Sequence, residues 1–131
     1  MFLGTGYFVV GIVFGELAGQ AASHQSVVVW RWAAWMIGAL AFGSHIVFEQ
    51  VHLGSSPRIT ALHVSSAAGV GAFGLAVAAN IHALAAPPGQ RSLLLALSLG
   101  IWPVMTALPA FFIALVGAIL FARMRRLFHR R

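Results

Sequence analysis

The chain has 131 residues, enough for one compact domain, and its composition excludes most water-soluble folds. Sixty per cent of the residues are hydrophobic and only 8% are charged, whereas an ordinary globular domain carries about 25% charged residues. A small water-soluble protein has a large surface relative to its volume and could not cover it with so few charges. The composition therefore predicts an all-α integral membrane protein.

Several residue types are missing, and their absence excludes classes of function. There is no cysteine, so disulfides, thiolate metal sites and cysteine nucleophiles are excluded. The basic residues are all Arg and the only acids are Glu16 and Glu49. Without Asp or Lys the chain has neither a Ser/His/Asp triad nor a Lys-containing phosphate loop. The residue types that are present neither require nor exclude an enzymatic function.

Four apolar segments are long enough to cross a bilayer, which takes about 20 residues of helix. The expected spans, in chain order, are Phe2–Ala22, Val28–Leu53, Pro57–Ala86 and Ser92–Ala122. Ser56 is a suitable N-cap for the third span, and Pro57 suits its first helical position. The Pro87-Pro88-Gly89 sequence should end it. These spans predict one up-down bundle over residues 1–122 with a basic tail over 123–131.

The Arg residues predict the orientation of the bundle. With four spans, one side of the membrane holds both termini and six Arg: Arg58, Arg123, Arg125, Arg126, Arg130 and Arg131. The other side holds only Arg31 and Arg91. By the positive-inside rule both termini are cytoplasmic in an inner membrane. The basic tail then contacts anionic lipid headgroups rather than nucleic acid. Three Trp, at positions 30, 32 and 35, fit an outer interfacial belt better than a cofactor-stacking site.

Small residues line the predicted first and third helices. Gly4, Gly11, Gly15, Ala18 and Ala22 share one face of the first helix. Such faces let helix backbones approach closely where lipid removes the hydrophobic drive for association. Packing within the chain and packing between copies explain this pattern equally well. A four-helix chain offers few internal neighbours, so a homo-oligomer is expected.

The most informative polar residues lie near the end of the second span. His45, Glu49 and His52 share one helix face, and the short following turn should bring His63 of the third helix to a similar depth. A carboxylate in a span is costly unless it is paired, protonated or functional. Imidazole and carboxylate groups are common ligands of divalent transition metals, and they also form proton relays. The competing interpretation is structural, with these side chains bonded to neighbouring helices or to interfacial water.

The cofactor is not fixed by these residues. A divalent transition metal at His45, Glu49, His52 and His63, or a proton alone, is favoured over haem. Adjacent helices lie about 8–10 Å apart, which leaves little room for a macrocycle between His45 and His63.

Glu16 in the outer part of the first span is a second candidate position on an ion or proton pathway. His82 at the end of the third span should lie at a similar level, and the two could also pair structurally. In its length and in one Glu in the first helix, the chain resembles the small multidrug resistance transporters. Their later aromatic and Gly/Pro pattern is missing here. The resemblance implies a Glu that exchanges protons for a cation in a dimer.

Three functions remain. The first is proton or metal-cation translocation by a homo-oligomer through the Glu/His clusters. The second is a redox or sensory function based on a membrane-embedded metal or haem site. The third is an accessory subunit of a larger membrane complex, in which the polar residues only lock helices together. They are ranked in that order.

Overall fold

A computed structural model describes residues 2–85 and 93–128 of the chain, and the expected all-helical fold is confirmed there. Its helices are α1 (Phe2–Gly19), α2 (His24–Val51), α3 (Pro57–Ala85) and α4 (Leu93–Phe128). In length and apolar composition, α2, α3 and α4 are each sufficient to cross a membrane, whereas α1 is apolar but shorter. The expected Pro87–Gly89 break and Arg91, Arg130 and Arg131 lie outside the described residues.

Local hydrogen bonds explain where α2 begins. The Ser23 side chain accepts a hydrogen bond from the Ser26 N–H at 3.2 Å, as an N-cap does. Because of this cap, α2 starts at His24 rather than at Val28.

The turn between α2 and α3 is set by Gly54 and Pro57. Gly54 has a φ of +60°, a left-handed conformation that side chains other than Gly rarely adopt. Pro57 is the first residue of α3, as expected from its fixed φ. The Thr60 N–H then donates to the Ser56 carbonyl at 2.9 Å, which closes the first turn.

α3 is the central helix of the described residues, packed against α4 on one side and α1 on the other. The Asn80 side chain donates to the Leu95 carbonyl at 2.8 Å, and 11 residues earlier Gly69 faces Ala107. These two contacts show that α3 and α4 are antiparallel. Gly4 faces Val70 and Gly11 faces Leu75, so α1 runs parallel to α3.

The buried core lies at one end of the molecule, where α2, α3 and α4 meet. Its members are small or branched apolar residues: Ile46, Ala61, Val64, Ala114 and Ala118. Elsewhere most large apolar side chains are exposed, including those of Trp32 and Trp35 on α2. An apolar exterior of this kind is typical of helices that face lipid.

The small residues of α1 are divided between two neighbours. Gly4 and Gly11 contact α3, whereas a Cβ added at Gly15 would meet no atom within 4 Å. Gly15 and Ala18 instead line a cleft between α1 and α2. Internal packing against α3 therefore accounts for only part of the predicted face.

Candidate functional site

Glu49 lies in the last turn of α2, at the buried end of the molecule, with only 5% of its surface exposed. Both of its carboxylate oxygens have neighbours. The Ser55 hydroxyl donates to Oε2 at 2.8 Å, and Nδ1 of His63 lies 2.9 Å from Oε1. Burial without hydrogen bonds would strongly disfavour a carboxylate, and these contacts offset that cost.

Two imidazoles from different helices flank the same Glu49 oxygen. His63 comes from α3 and keeps 56% of its side chain exposed, whereas His45 lies one turn earlier on α2 and is almost fully buried. The Nε2 atom of His45 is 3.7 Å from Oε1 of Glu49. Its Nδ1 atom is buried and has no hydrogen-bond partner among the described residues. One carboxylate thus lies between an exposed imidazole and a buried one.

These three side chains line one groove, which we call the Glu49 groove. Its volume is about 410 Å³, and Gly4, Ser66, Ala67 and Val70 complete its lining. α1 contributes Gly4, so three helices form the walls. The buried His45 imidazole therefore shares this groove with the Glu49 carboxylate and with small apolar residues.

A buried network beside the groove holds the α2–α3 turn in place. The Gln50 Nε2 atom donates to the Thr60 hydroxyl at 2.9 Å and to the Ser55 carbonyl at 3.1 Å. The Ser55 N–H donates to the Glu49 carbonyl at 3.1 Å. Ser55 is therefore fixed through its backbone while its hydroxyl binds the Glu49 carboxylate.

α4 supplies one basic contact at this end of the molecule. Arg125 donates from its guanidinium to the Gln50 carbonyl at 3.1 Å. α4 continues past Ala122 to Phe128, so Arg123, Arg125 and Arg126 are helical rather than part of an irregular tail. The C-terminal end of α2, where carbonyls lack helical partners, is the place where a cation is favourable.

His52 does not join the other three predicted ligands. It is the C-cap residue of α2, is exposed, and stacks on Phe48 with ring centroids 4.9 Å apart. It lines a separate groove along α2, with Gly43 and Ser44. Within the described residues, no group of three or more His, Asp or Glu side chains has an arrangement suited to a metal ion. The four-ligand metal site stays a prediction.

Glu16 and His82 are both exposed. Among the described side chains they make no ion pair with each other or with any other residue. The pairing considered from the sequence is therefore not formed within this chain. Their role in an ion pathway stays a prediction.

Sequence reasoning missed the residues that support Glu49. Gln50, Ser55 and Thr60 are ordinary polar residues near a predicted turn, and no spacing rule distinguishes them. A signal was available for Thr60, because a hydroxyl in the first turn after a Ser-Pro helix start can face the preceding helix. Nothing local pointed to Arg125, which lies 75 residues from Gln50.

Searches of protein families, of curated proteins and of solved structures give no match to this chain.

Proposed function

We propose that the protein is a four-span inner-membrane protein that moves protons across the membrane as a homo-oligomer, with Glu49 as a proton-binding group. The observation that carries this proposal is the nearly complete burial of Glu49 between two imidazoles on neighbouring helices. A buried carboxylate in contact with His side chains is a typical element of proton relays in membranes.

A four-span topology is supported by helix directions and lengths. α1 has 18 residues and would be about 27 Å long, close to the roughly 30 Å of a bilayer core. Phe14 of α1 contacts Trp30 of α2, Glu49 contacts His63, and Asn80 contacts Leu95. Each contact joins two helices that follow one another in the chain, close to the ends that are connected, as in an up-down bundle. The Arg distribution then favours cytoplasmic termini.

The relay would run from His63 through Glu49 to His45. α3 has 29 residues, or about 44 Å, so its ends extend beyond the bilayer core. His63 lies six residues from its start and would be near the cytoplasmic boundary, within reach of water. A proton on His63 can pass to Glu49 across 2.9 Å. His45, one turn deeper, is the next acceptor. Its Nε2 atom is 3.7 Å from Oε1 of Glu49, beyond hydrogen-bond distance, so this transfer requires the two side chains to move closer together. Its Nδ1 atom has no partner among the described residues and would carry the proton further inward.

A proton suits this geometry better than a bound metal ion. His63 and Glu49 are already in hydrogen-bond contact, so a single proton can be shared between them. His52, the fourth predicted ligand, faces another groove. Transport of a metal cation instead of a proton is one outcome that the flux experiment below can reveal.

A homo-oligomer is proposed because of Glu16. Its exposed carboxylate lies in the last turn of an apolar helix and has no ion pair among the described side chains. A second copy, or the outer headgroup region, would supply the polar contact that one chain does not. Glu16 and His82 would form the outer end of the pathway.

The topology is tested first, with single cysteines in this naturally cysteine-free chain. Ser23→Cys lies in the α1–α2 turn and Ser56→Cys in the α2–α3 turn. A membrane-impermeant maleimide added to intact spheroplasts should label position 23 and leave position 56 unlabelled until the membrane is permeabilised. The reverse pattern would invert the orientation, and equal labelling of both positions would show that α2 does not cross.

The transport proposal is tested by proton flux into proteoliposomes that contain a pH-sensitive dye, driven by a potassium diffusion potential. Wild-type protein should acidify the lumen, and Glu49→Gln should reduce the flux to that of protein-free vesicles. The amide keeps hydrogen-bonding capacity toward Ser55 and His63, so folding should persist, as checked by gel filtration. Undiminished flux in the Glu49→Gln variant would refute the proposal.

Matched histidine variants separate the relay from a general loss of charge. His63→Gln and His45→Gln should each slow the flux, whereas His52→Gln, the same change at a ring that lines a different groove, should not. Equal losses in all three would contradict the relay. Flux that requires an added divalent cation would identify a metal cation as the transported species.

The accessory-subunit function is favoured by a different observation, the Gln50, Ser55 and Thr60 network, which locks α2 to α3. It predicts no flux from the purified wild-type chain and co-purification with a larger complex. Conservative changes at His45 and His63 would then cost stability alone.

A further inference from the structure

We infer that the cleft between α1 and α2 binds one anionic phospholipid, with its phosphate at Arg31 and an acyl chain along the glycine-lined walls. The inference rests on the membrane insertion proposed above and is independent of proton transfer. The cleft, which we call the α1–α2 cleft, has a volume of about 600 Å³. That is within the range of small-molecule sites, roughly 300–1,000 Å³.

The walls of the α1–α2 cleft leave room for a chain. Gly15 and Gly19 line it from α1, and Gly38 lines it from α2. A Cβ added at any of the three would meet no atom within 4 Å, so this space is not used for helix packing. Gly71, by contrast, is packed closely against α1. An alkyl chain fits the shape and the apolar character of the open walls.

Arg31 is the charged residue of the α1–α2 cleft and favours an anion. Within residues 4–84 and 93–127 it forms no ion pair and no side-chain hydrogen bond, and no acidic residue lines the cleft. An unpaired guanidinium beside an apolar groove is complementary to a ligand with an anionic head and an apolar body. Arg is well suited to phosphate because its planar fork forms paired hydrogen bonds.

The depth of Arg31 matches a lipid phosphate. It lies seven residues, or about 10 Å, from the start of α2. α2 has 28 residues, or about 42 Å, and exceeds the roughly 30 Å bilayer core by about 12 Å. With that excess shared between both ends, Arg31 lies within about 4 Å of the core boundary, a distance its long side chain can span. Trp32 and Trp35 flank it and are exposed, as at an interface.

A second polar group lies at the inner end of the α1–α2 cleft. Tyr7 is two turns from Phe14, whose ring contacts Trp30 beside Arg31. The buried Tyr7 hydroxyl has no hydrogen-bond partner among the described residues. This buried hydroxyl lies about 10 Å deeper than Arg31, at the level of an acyl chain, so recognition of the lipid rests on Arg31.

The test is native mass spectrometry of delipidated protein in detergent, titrated with phosphatidylglycerol or with phosphatidylcholine of the same chains. The wild type should bind one phosphatidylglycerol per chain in preference to phosphatidylcholine. Arg31→Gln should lower the affinity for phosphatidylglycerol about tenfold, as expected for a charge-assisted contact. Arg58→Gln removes the same charge from an exposed position outside the cleft and should leave this affinity unchanged.

A third variant tests the location. Gly15→Leu places a side chain in open space, so the fold should persist while the lipid is displaced. Equal affinity for the two lipids, equal losses for the two Arg variants, or full binding by Gly15→Leu would each overturn the inference. So would displacement of the lipid by equimolar oleate, which would identify a fatty acid as the ligand. Dimerisation of the delipidated protein that Gly15→Leu abolishes, without lipid binding, would assign the cleft to a second copy. Loss of proton flux in the earlier experiment leaves each of these readouts intact.

Discussion

Replacing Gly71 with alanine should force α1 away from α3 and destabilise the protein. A Cβ at position 71 would lie 2.7 Å from the Tyr7 Cβ and 3.4 Å from the Gly4 carbonyl and the Phe8 nitrogen. Ordinary contact begins near 3.4 Å, so α1 would have to retreat by about 0.7 Å. The obstructing atoms are close to the α1 backbone and cannot turn aside as the end of a flexible side chain could.

The magnitude follows from two opposing effects. Overpacking of a close contact costs about 1–3 kcal/mol. Replacing Gly by Ala within a helix normally stabilises by about 0.5–1 kcal/mol. The matched control is Gly15→Ala on α1, where the new Cβ meets nothing within 4 Å. The two variants should therefore change the free energy of unfolding in opposite directions.

The assay is SDS-induced unfolding of the detergent-solubilised protein, followed by tryptophan fluorescence. Gly71→Ala should unfold at a lower SDS fraction than the wild type, and Gly15→Ala at a higher one. Gly4 also lines the Glu49 groove, so under the transport proposal displacement of α1 should slow proton flux in the same variant. Equal stability of the two variants would refute the packing of α1 on α3.

Two further predictions concern buried and interhelical hydrogen bonds. Thr60→Val removes the hydroxyl that accepts from Gln50 and should cost about 1–3 kcal/mol of unfolding free energy. The control Thr106→Val, at an exposed hydroxyl bonded within its own helix, should change stability by less than about 0.5 kcal/mol. Asn80→Leu removes the α3–α4 bond to Leu95 and should cost only about 0.6 kcal/mol, the average for such bonds in membranes. All three variants are measured by the same SDS titration. If Thr60→Val lost no more unfolding free energy than Thr106→Val, the buried network would be contradicted.

The candidate site was partly predictable because two of its members share one helix. His45 and Glu49 are four residues apart, and that spacing alone puts them on one face. The short turn after α2 made His63 a reasonable third member. His52 fits the same spacing rule, yet it lies at the helix end, where its ring stacks on Phe48. Helix periodicity fixes the direction of a Cα–Cβ bond, whereas the contact made by a terminal side chain depends on its neighbours.

The sequence by itself determined the helical class and the approximate limits of the helices. Apolar length and turn residues are local properties, and they act through the thickness of the bilayer and the geometry of the backbone. Only the tertiary structure decided that α3 is central, that Tyr7 packs against Gly71, and that Arg125 donates to the Gln50 carbonyl. These contacts join residues far apart in the chain, and they depend on which side-chain shapes fit together rather than on hydropathy, which is nearly the same on every face of these helices.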